Sequence, residues 1–452
     1  MGTLSLDGRS HKLFIASCLV VLSLHVTILF LVMPALGSRL HSSFGQESYP
    51  DGYDQLAANL ASGHGYRFYA ATASTVMREP GYPLILAGLY VLFGSSFTAV
   101  KMCNLVLAFG TALMMTPLAR RTIGDGQWHG LPLYLLPSLL FLIHPGTILA
   151  ECRGGVEIVF AFLIVLFIWL VCIAVDTKSN VVYAAAGIVL GIAVLVRSTP
   201  LLFPVFLLAY LLIACRSLES RLGIVINIAA MSFAMFVTIS PWIIRNYALT
   251  GRFIPTTSVL GVSAQAGEYI NEHIVDGRPI WILDREAARI RDRLALNAGY
   301  KFEDGPQGYY QTFYRTSDEI AFSQHLAALT VQRYRENPVL FARCVAQNVV
   351  NFWFSGKTWT ATALDVVVQL PYLLLALIGV FFHSKNANAR IIGILPAFIA
   401  YLMLIHAPIL AQARYSIPLI PLLSILAASG IASMLRSRPA LKASSSASYA
   451  SA

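Results

Sequence analysis

Charge is scarce in this chain. Only 12% of its 452 residues are Asp, Glu, Lys or Arg, while 57% are hydrophobic; a soluble domain carries about 25% charged residues. That shortage argues against the two or three soluble domains that length alone would suggest. Cysteine is scarce as well. The six present, Cys18, Cys103, Cys152, Cys172, Cys215 and Cys344, show no paired spacing and mostly fall in or near apolar runs. They read as small core residues rather than a disulfide or metal framework. The motifs HExxH, DxD, CxxC and GxSxG are all missing, so the common zinc, redox and serine-nucleophile signatures lend no support to those chemistries. No internal repeat stands out, which weakens an inverted-repeat transporter.

Apolar runs of about 20 residues, the length needed to cross a bilayer, recur along the chain. They predict an all-α polytopic membrane protein with ten spans: 13–36, 97–118, 131–149, 156–175, 181–196, 199–214, 222–243, 366–382, 391–406 and 415–435. The first run exceeds a signal-peptide core of about 7–15 residues and reads as a retained anchor. The fifth and sixth are short and break at RSTP, where Pro200 ends one helix or starts the next. Four regions follow. Residues 1–245 are an N-terminal membrane region with a first polar loop at 37–96. Residues 246–364 are a second polar region, 365–436 hold the last spans, and 437–452 are a Ser/Ala-rich, disordered tail. In the second region, DREAARIRDRLALNAG, SDEIAFSQHLAALTVQRYREN and PVLFARCVAQNVVNFWFSG have helical spacing. The last of these, with Trp353 and its phenylalanines, suits an amphipathic helix in the membrane interface.

Ten spans put both termini on one side. Arg9, Lys12, Arg120, Arg121, Lys178, Arg216, Arg221, Lys385, Arg390, Arg436, Arg438 and Lys442 gather in one set of short loops and ends. The positive-inside rule places that set, and both termini, in the cytoplasm, with both large polar regions outside an inner (cytoplasmic) membrane. The net charge of +10 is then an orientation signal and implies no nucleic acid.

The densest polar chemistry lies in residues 50–94, just outside the first span. Asp51 sits on a Pro-Asp-Gly turn. Asp54 opens the run DQLAANLA, where helix capping is its ordinary role. Glu79 stands between Arg78 and Pro80, with a local salt bridge as its ordinary role. Arg153, Arg197, Arg245 and Arg414 lie at the outer ends of spans, where charges are rare unless paired or functional. Each singly is explained by snorkelling or an ion pair with Glu151, Glu157, Asp51 or Glu79. Four on one face point to an anionic lipid head group, because a guanidinium fork matches a phosphate. Glu157, near a span start, either complements that helix N-terminus or lines the site. A divalent metal held by Asp51, Glu79 and a loop histidine such as His273 is the arrangement the ligand types would allow.

Several motifs together resemble a known family. Tyr53-x-x-Leu56-Ala57-x-Asn59-Leu60-x-x-Gly63-x-Gly65-Tyr66, Arg78-x-Pro80-Gly81-Tyr82-Pro83 and Leu92-Phe93-Gly94 are similar to the first-loop signature of GT-C membrane glycosyltransferases of the glycosyltransferase 39 type. That group includes protein O-mannosyltransferases and the lipid A aminoarabinose transferase. His144-Pro145 before Glu157, Gly187-x-x-x-Gly191 with Arg197, Pro241-Trp242-x-x-Arg245-Asn246-Tyr247 and Arg414-Tyr415-x-x-Pro418 extend the resemblance along the membrane body. The resemblance implies a GT-C-like bundle, a polyprenyl-phosphate sugar as donor, chemistry at the extracytoplasmic face and a first-loop Asp as general base. By position that Asp is Asp51. The local sequence DGYD departs from the usual acidic pair and leaves Asp51 and Asp54 both open. Tyr53, Arg78, Glu79, Tyr82, Arg153, Glu157, Arg197, Arg245, Asn246, Arg414 and Tyr415 are the expected substrate contacts, and a lipid, glycan or protein is the expected acceptor.

The chemistry agrees. A sugar leaving a lipid phosphate needs cations on the departing phosphate and a base for the attacking hydroxyl, and a single displacement inverts the anomeric centre. A transporter for an anionic lipid or solute is the competing reading. Its charges would be expected nearer the bilayer midplane. An assembly scaffold, a third reading, predicts no closed cavity under the loops.

Overall fold

The computed structural model describes residues 8–35, 50–128, 131–214, 218–274, 277–305, 308, 310–383 and 392–436. The expected disordered tail, the start of the first loop at 37–49 and the loop cations Arg216, Lys385 and Arg390 lie outside the described residues.

Each of the ten expected spans is helical. The first is α1 (Gly8–Thr27), which runs on as a π turn over Ile28–Val32. In the first loop come α2 (Tyr53–Ala61) and α3 (Gly81–Phe93), then α4 (Phe97–Ile123) in the membrane body. A two-residue pairing of β1 (Gln127–Trp128) with β2 (Leu131–Pro132) leads to α5 (Leu136–Ile143) and α6 (Pro145–Glu151). These two helices are bent by 56° at His144, where Pro145 cannot continue the preceding hydrogen-bond ladder. Next come α7 (Glu157–Thr177), α8 (Asn180–Val196), α9 (Phe203–Ala214) after a 3-10 turn at Thr199–Leu202, and α10 (Leu218–Thr250). The second polar region contributes α11 (Leu260–His273), α12 (Ile280–Asn297), the hairpin β3 (Phe302–Asp304) with β4 (Gln311–Phe313), α13 (Thr316–Glu336) and α14 (Pro338–Phe354). The chain returns through α15 (Trp359–His383), α16 (Ile394–His406) and α17 (Ile420–Arg436).

Among the described residues five helices are long and apolar enough to cross a membrane, or six with the bent α5–α6 pair as one span. The remaining expected spans are shorter apolar helices. The protein is an all-α integral membrane protein. Its interior is packed by α7, α8 and α17 around Phe160, Phe167, Phe203 and Phe398. Leu113, Ile213, Phe233 and Leu377 stand exposed on its flank, as side chains facing lipid would.

Three expectations change. The first loop is not polar throughout, because Gly81–Phe93 forms an apolar helix of 13 residues, too short to span and therefore hidden from a length criterion. The span expected to stop at 243 continues as helix to Thr250, carrying Arg245 and Asn246 with it. The helix α14 does not present Trp353 to the interface. Phe352 and Trp353 are buried in the core, and its exposed apolar residues are Val339, Phe341, Val349 and Val350.

The helices α8 and α10 touch backbone to backbone. A Cβ on Gly187 would lie 2.1 Å from the Met231 carbonyl oxygen, and one on Gly191 would lie 2.6 Å from Thr238 Cβ. Small residues four apart permit this approach between membrane helices. Replacing Gly187 by valine should therefore overpack the contact and cost about 1–3 kcal/mol, read as a lowered melting temperature in detergent.

The two polar regions are latched together. Glu319 of α13, itself buried, accepts hydrogen bonds from Thr75 Oγ1 (2.6 Å), the Val76 amide (3.1 Å) and Ser258 Oγ (2.7 Å). Backbone bonds from Ala73 to Phe313 (3.1 Å) and from Ser258 to Val76 (2.9 Å) continue the seam. The segment leading into Arg78 and Glu79 is thus held by groups more than 180 residues away in sequence.

Candidate active site

The turn before α2 sets the geometry. Asp51 has φ of 67° and Gly52 of 73°. The left-handed region is costly for a residue with a Cβ, and such residues cluster at functional sites. Two anchors hold the turn. Tyr310 donates its hydroxyl to the Asp51 carbonyl at 3.0 Å, and Tyr53, directly after the turn, packs edge-on against Tyr82 at 5.2 Å.

This backbone aims the Asp51 carboxylate between two guanidiniums. Arg414 Nη2 lies 3.3 Å from Oδ1 and 3.2 Å from Oδ2, and Arg78 Nη2 lies 3.4 Å from Oδ1. Burial alone would raise the Asp51 carboxyl, but Arg414 and Arg78 outweigh it and hold it well below the usual carboxylate range. Burial would likewise lower Arg78, and Asp51 reverses that. The clamp still has unused donors. Nε of both Arg78 and Arg414 is buried without a hydrogen-bond partner. The two guanidiniums that line the cavity suit an oxygen-rich anion.

The cavity is about 120 Å³ and lies between the first loop, the second polar region and the start of the last span. Of the residues named from the sequence, Asp51, Arg78, Arg414 and Tyr415 line it. Tyr310, Asp284, Arg291, Lys357, Gln412 and Ser263 line it too, and sequence reading missed them. Burial raises the Asp284 carboxyl; Arg291, Arg414 and Lys357 oppose that, while Asp51 adds to it. Burial, Arg414 and Arg153 lower the Lys357 amine. Burial also lowers Arg291, to about 10.

Other expected residues sit around the cavity without lining it. Arg197 lies over the Tyr415 ring at 4.5 Å, and its charge reaches Asp51 and Tyr53. Arg153 acts electrostatically on Lys357, and Glu157, buried in the first turn of α7, acts on Arg414. Tyr82 is fully buried behind Tyr53. Glu79 is turned to the Ser198 amide (3.0 Å), fixing the junction that follows Arg197. Asp54 is outside the cavity lining, in the first turn of α2. Its carboxyl is raised by burial against the pull of the Gln55 and Asp54 amides.

Two groups of residues named from the sequence lie elsewhere. Arg245 and Asn246 do not reach the cavity. Arg245 donates to the Thr75 carbonyl (2.8 Å) and Asn246 Oδ1 (3.0 Å) and lies over the Trp242 ring at 4.5 Å. Asn246, fully buried, donates to the Ile254 carbonyl at 3.1 Å. Both spend their polar groups tying loop backbone to α10. The metal trio also fails to assemble. Asp51 is held by guanidiniums, Glu79 by the Ser198 amide, and His273 stacks on Tyr269 at 4.1 Å. Among the described residues no group of three or more His, Cys, Asp or Glu side chains is placed to hold a metal ion.

Residues 77–244 match the family model for dolichyl-phosphate-mannose-protein mannosyltransferase. That stretch includes Arg78, Arg153, Glu157 and Arg197 but not Asp51, Asp284 or Arg414. No curated protein matches the chain in sequence. Among solved structures the chain is similar to the archaeal oligosaccharyltransferase AglB from Archaeoglobus fulgidus in complex with an inhibitory peptide and a dolichol-phosphate. That likeness has a TM-score of 0.54 at 15% identity and covers 96% of this chain and 52% of the other. The apo form of the Archaeoglobus fulgidus oligosaccharyltransferase gives a TM-score of 0.53 at 15% identity, over 94% of this chain and 51% of that one. The chain therefore spans about half the length of these relatives. A looser likeness, TM-score 0.42 at 13% identity over 95% and 78% of the two chains, is to ArnT from Cupriavidus metallidurans bound to undecaprenyl phosphate. Residues 77–244 carry the mannosyltransferase family pattern, and the chain around them has the GT-C glycosyltransferase fold.

Proposed function

We propose that this protein transfers a sugar from a polyprenyl-phosphate-linked donor to a hydroxyl of a lipid, glycan or protein acceptor at the extracytoplasmic face of a cytoplasmic membrane. The observation that carries the reading is the Arg78–Asp51–Arg414 clamp, which lines a cavity between the first loop, the second polar region and the start of the last span. A departing phosphate needs charge stabilisation far more than protonation. Two guanidiniums supply it, and Asp51 holds both by accepting hydrogen bonds from their Nη2 atoms. Arg197 and Tyr415 extend the cationic and aromatic surface toward the membrane body. Of the two first-loop acids, Asp51 lies in the cavity and Asp54 does not, which favours Asp51 for a role there. A cavity carboxylate takes the acceptor proton, and the single displacement inverts the anomeric centre.

The oligosaccharyltransferase relative is described with a dolichol-phosphate, and the same class of donor suits a phosphate clamp at a membrane edge. A transporter would need a polar route through the bundle. The membrane body has an apolar core that includes Phe160, Phe167, Phe203 and Phe398, which speaks against one.

Mass spectrometry of the purified protein should find a polyprenyl phosphate or its glycoside bound. Labelled polyprenyl-phosphate sugars should lose their label to a membrane extract. A protein that binds such lipids yet transfers no sugar from a panel of them would overturn the enzymatic reading. The orientation has its own test. In a background without native cysteines, Ser62→Cys should react with an impermeant thiol reagent from outside and Lys178→Cys should not. The reverse pattern would move the cavity to the cytoplasmic side.

A further inference from the structure

Two carboxyls face the same cavity, and they are held in opposite ways. Both oxygens of Asp51 lie within 3.4 Å of guanidinium nitrogens. Asp284, on α12, lines the cavity, and its carboxylate makes no ion pair or side-chain hydrogen bond among the described residues. Arg291, two helical turns further along the same face, sends Nη1 to Gln265 Oε1 at 2.7 Å. A carboxylate gripped by two guanidiniums has committed its lone pairs and resists a proton. A carboxyl without a fixed partner, beside another acid, accepts one readily.

We propose that Asp284, rather than Asp51, is the general base of the transfer, and that Asp51 is a positioning residue for the phosphate-binding guanidiniums. The assignment rests on the glycosyltransferase reading above and divides its acid chemistry between two residues. The acceptor hydroxyl oxygen forms a bond to the anomeric carbon as the bond from that carbon to the phosphate oxygen breaks. The electron pair of the broken bond leaves on the phosphate, between Arg78 and Arg414. The hydroxyl proton passes to the Asp284 carboxylate and from there to water. The products are the glycosylated acceptor and the polyprenyl phosphate. Lys357 and Arg291, which also line the cavity, keep the carboxyl ionised enough to work. Burial and Asp51 keep it basic. Lys357, Arg291 and Asp51, with Arg78, Arg414, Tyr310 and Tyr415, are the charged and titratable side chains that line the cavity with Asp284.

The test compares Asp284→Asn, Asp284→Glu and Asp51→Asn in the intact membrane protein. Affinity is measured with undecaprenyl phosphate. Turnover is measured with whichever radiolabelled polyprenyl-phosphate sugar of a panel the wild type uses. Asp284→Asn should lower kcat about 100- to 10,000-fold, the usual worth of a general base, with undecaprenyl phosphate affinity and melting temperature close to wild type. The wild-type rate should fall at acid pH with a midpoint above the ordinary aspartate value of about 3.9, and that limb should vanish in Asp284→Asn. Asp284→Glu should recover part of kcat and shift the limb. Asp51→Asn should retain the limb and change KM and lipid affinity more than kcat. Full turnover by Asp284→Asn, or loss of the acid limb in Asp51→Asn alone, would overturn the assignment while leaving the glycosyltransferase reading intact. A wild type that binds undecaprenyl phosphate but uses no donor of the panel would overturn both.

Discussion

Arg414→Ala should weaken binding of undecaprenyl phosphate by roughly 30- to 300-fold. Truncating one partner of a buried, hydrogen-bonded charge pair costs about 2–5 kcal/mol, and about 1.4 kcal/mol is tenfold in affinity. The Arg414 side chain is 29% exposed, so the lower half of that range applies. The loss has two parts. One guanidinium no longer meets the phosphate, and the Asp51 carboxylate it balanced is left as a repulsive charge beside it. Arg414→Lys separates them. A lysine keeps the charge but not the planar fork or the contact with the Tyr415 ring (5.3 Å), so it should recover less than half of the lost binding free energy. Calorimetric or fluorescence titration in detergent measures both variants. An Arg414→Ala protein that binds the lipid as tightly as wild type would remove the clamp from donor recognition.

Glu319→Ala should release the first loop from the second polar region. The carboxylate accepts from Thr75, Val76 and Ser258 in a buried site. Removing it orphans three donors, each costing about 1–3 kcal/mol when buried unpaired. Local relaxation and water entry recover part of this, so we expect about 3–5 kcal/mol, among the larger effects of single substitutions. Arg78 lies two residues beyond Val76, so the damage reaches the clamp. Hydrogen exchange should rise at residues 73–78 and lipid affinity should fall with it. Glu319→Gln keeps the shape and two acceptor lone pairs and should cost less than half as much. Unchanged exchange at 73–78 in Glu319→Ala would show that the backbone bonds of the seam suffice without the carboxylate.

The membrane body was legible in the sequence because its signal is local. A bilayer demands about 20 apolar residues per crossing, and each expected span holds an apolar helix or helix pair in its described residues. Gly187 and Gly191 were legible as a pattern, and the 2.1 Å approach of the Met231 carbonyl to a Cβ at Gly187 gives their reason. Asp51 stood out because a carboxylate on a Pro-Asp-Gly turn beside a membrane has few ordinary uses.

Which cations meet Asp51 is a matter of tertiary structure. Arg78 is 27 residues away and Arg414 is 363, and no local spacing favours Arg414 over Arg245, which ends instead on the Thr75 carbonyl. Asp284 and Arg291 were hidden for a related reason. DREAARIRDR shows helical spacing in the sequence, and only the packing of α12 makes Asp284 and Arg291 part of a cavity wall. The sequence by itself determined the membrane class, the apolar segments and two candidate first-loop acids, Asp54 and the turn acid Asp51, because length and composition act residue by residue. The partners of that acid, the second carboxyl and the cavity between them were decided only by tertiary structure, because charge pairing depends on distance in space, which local pattern does not encode.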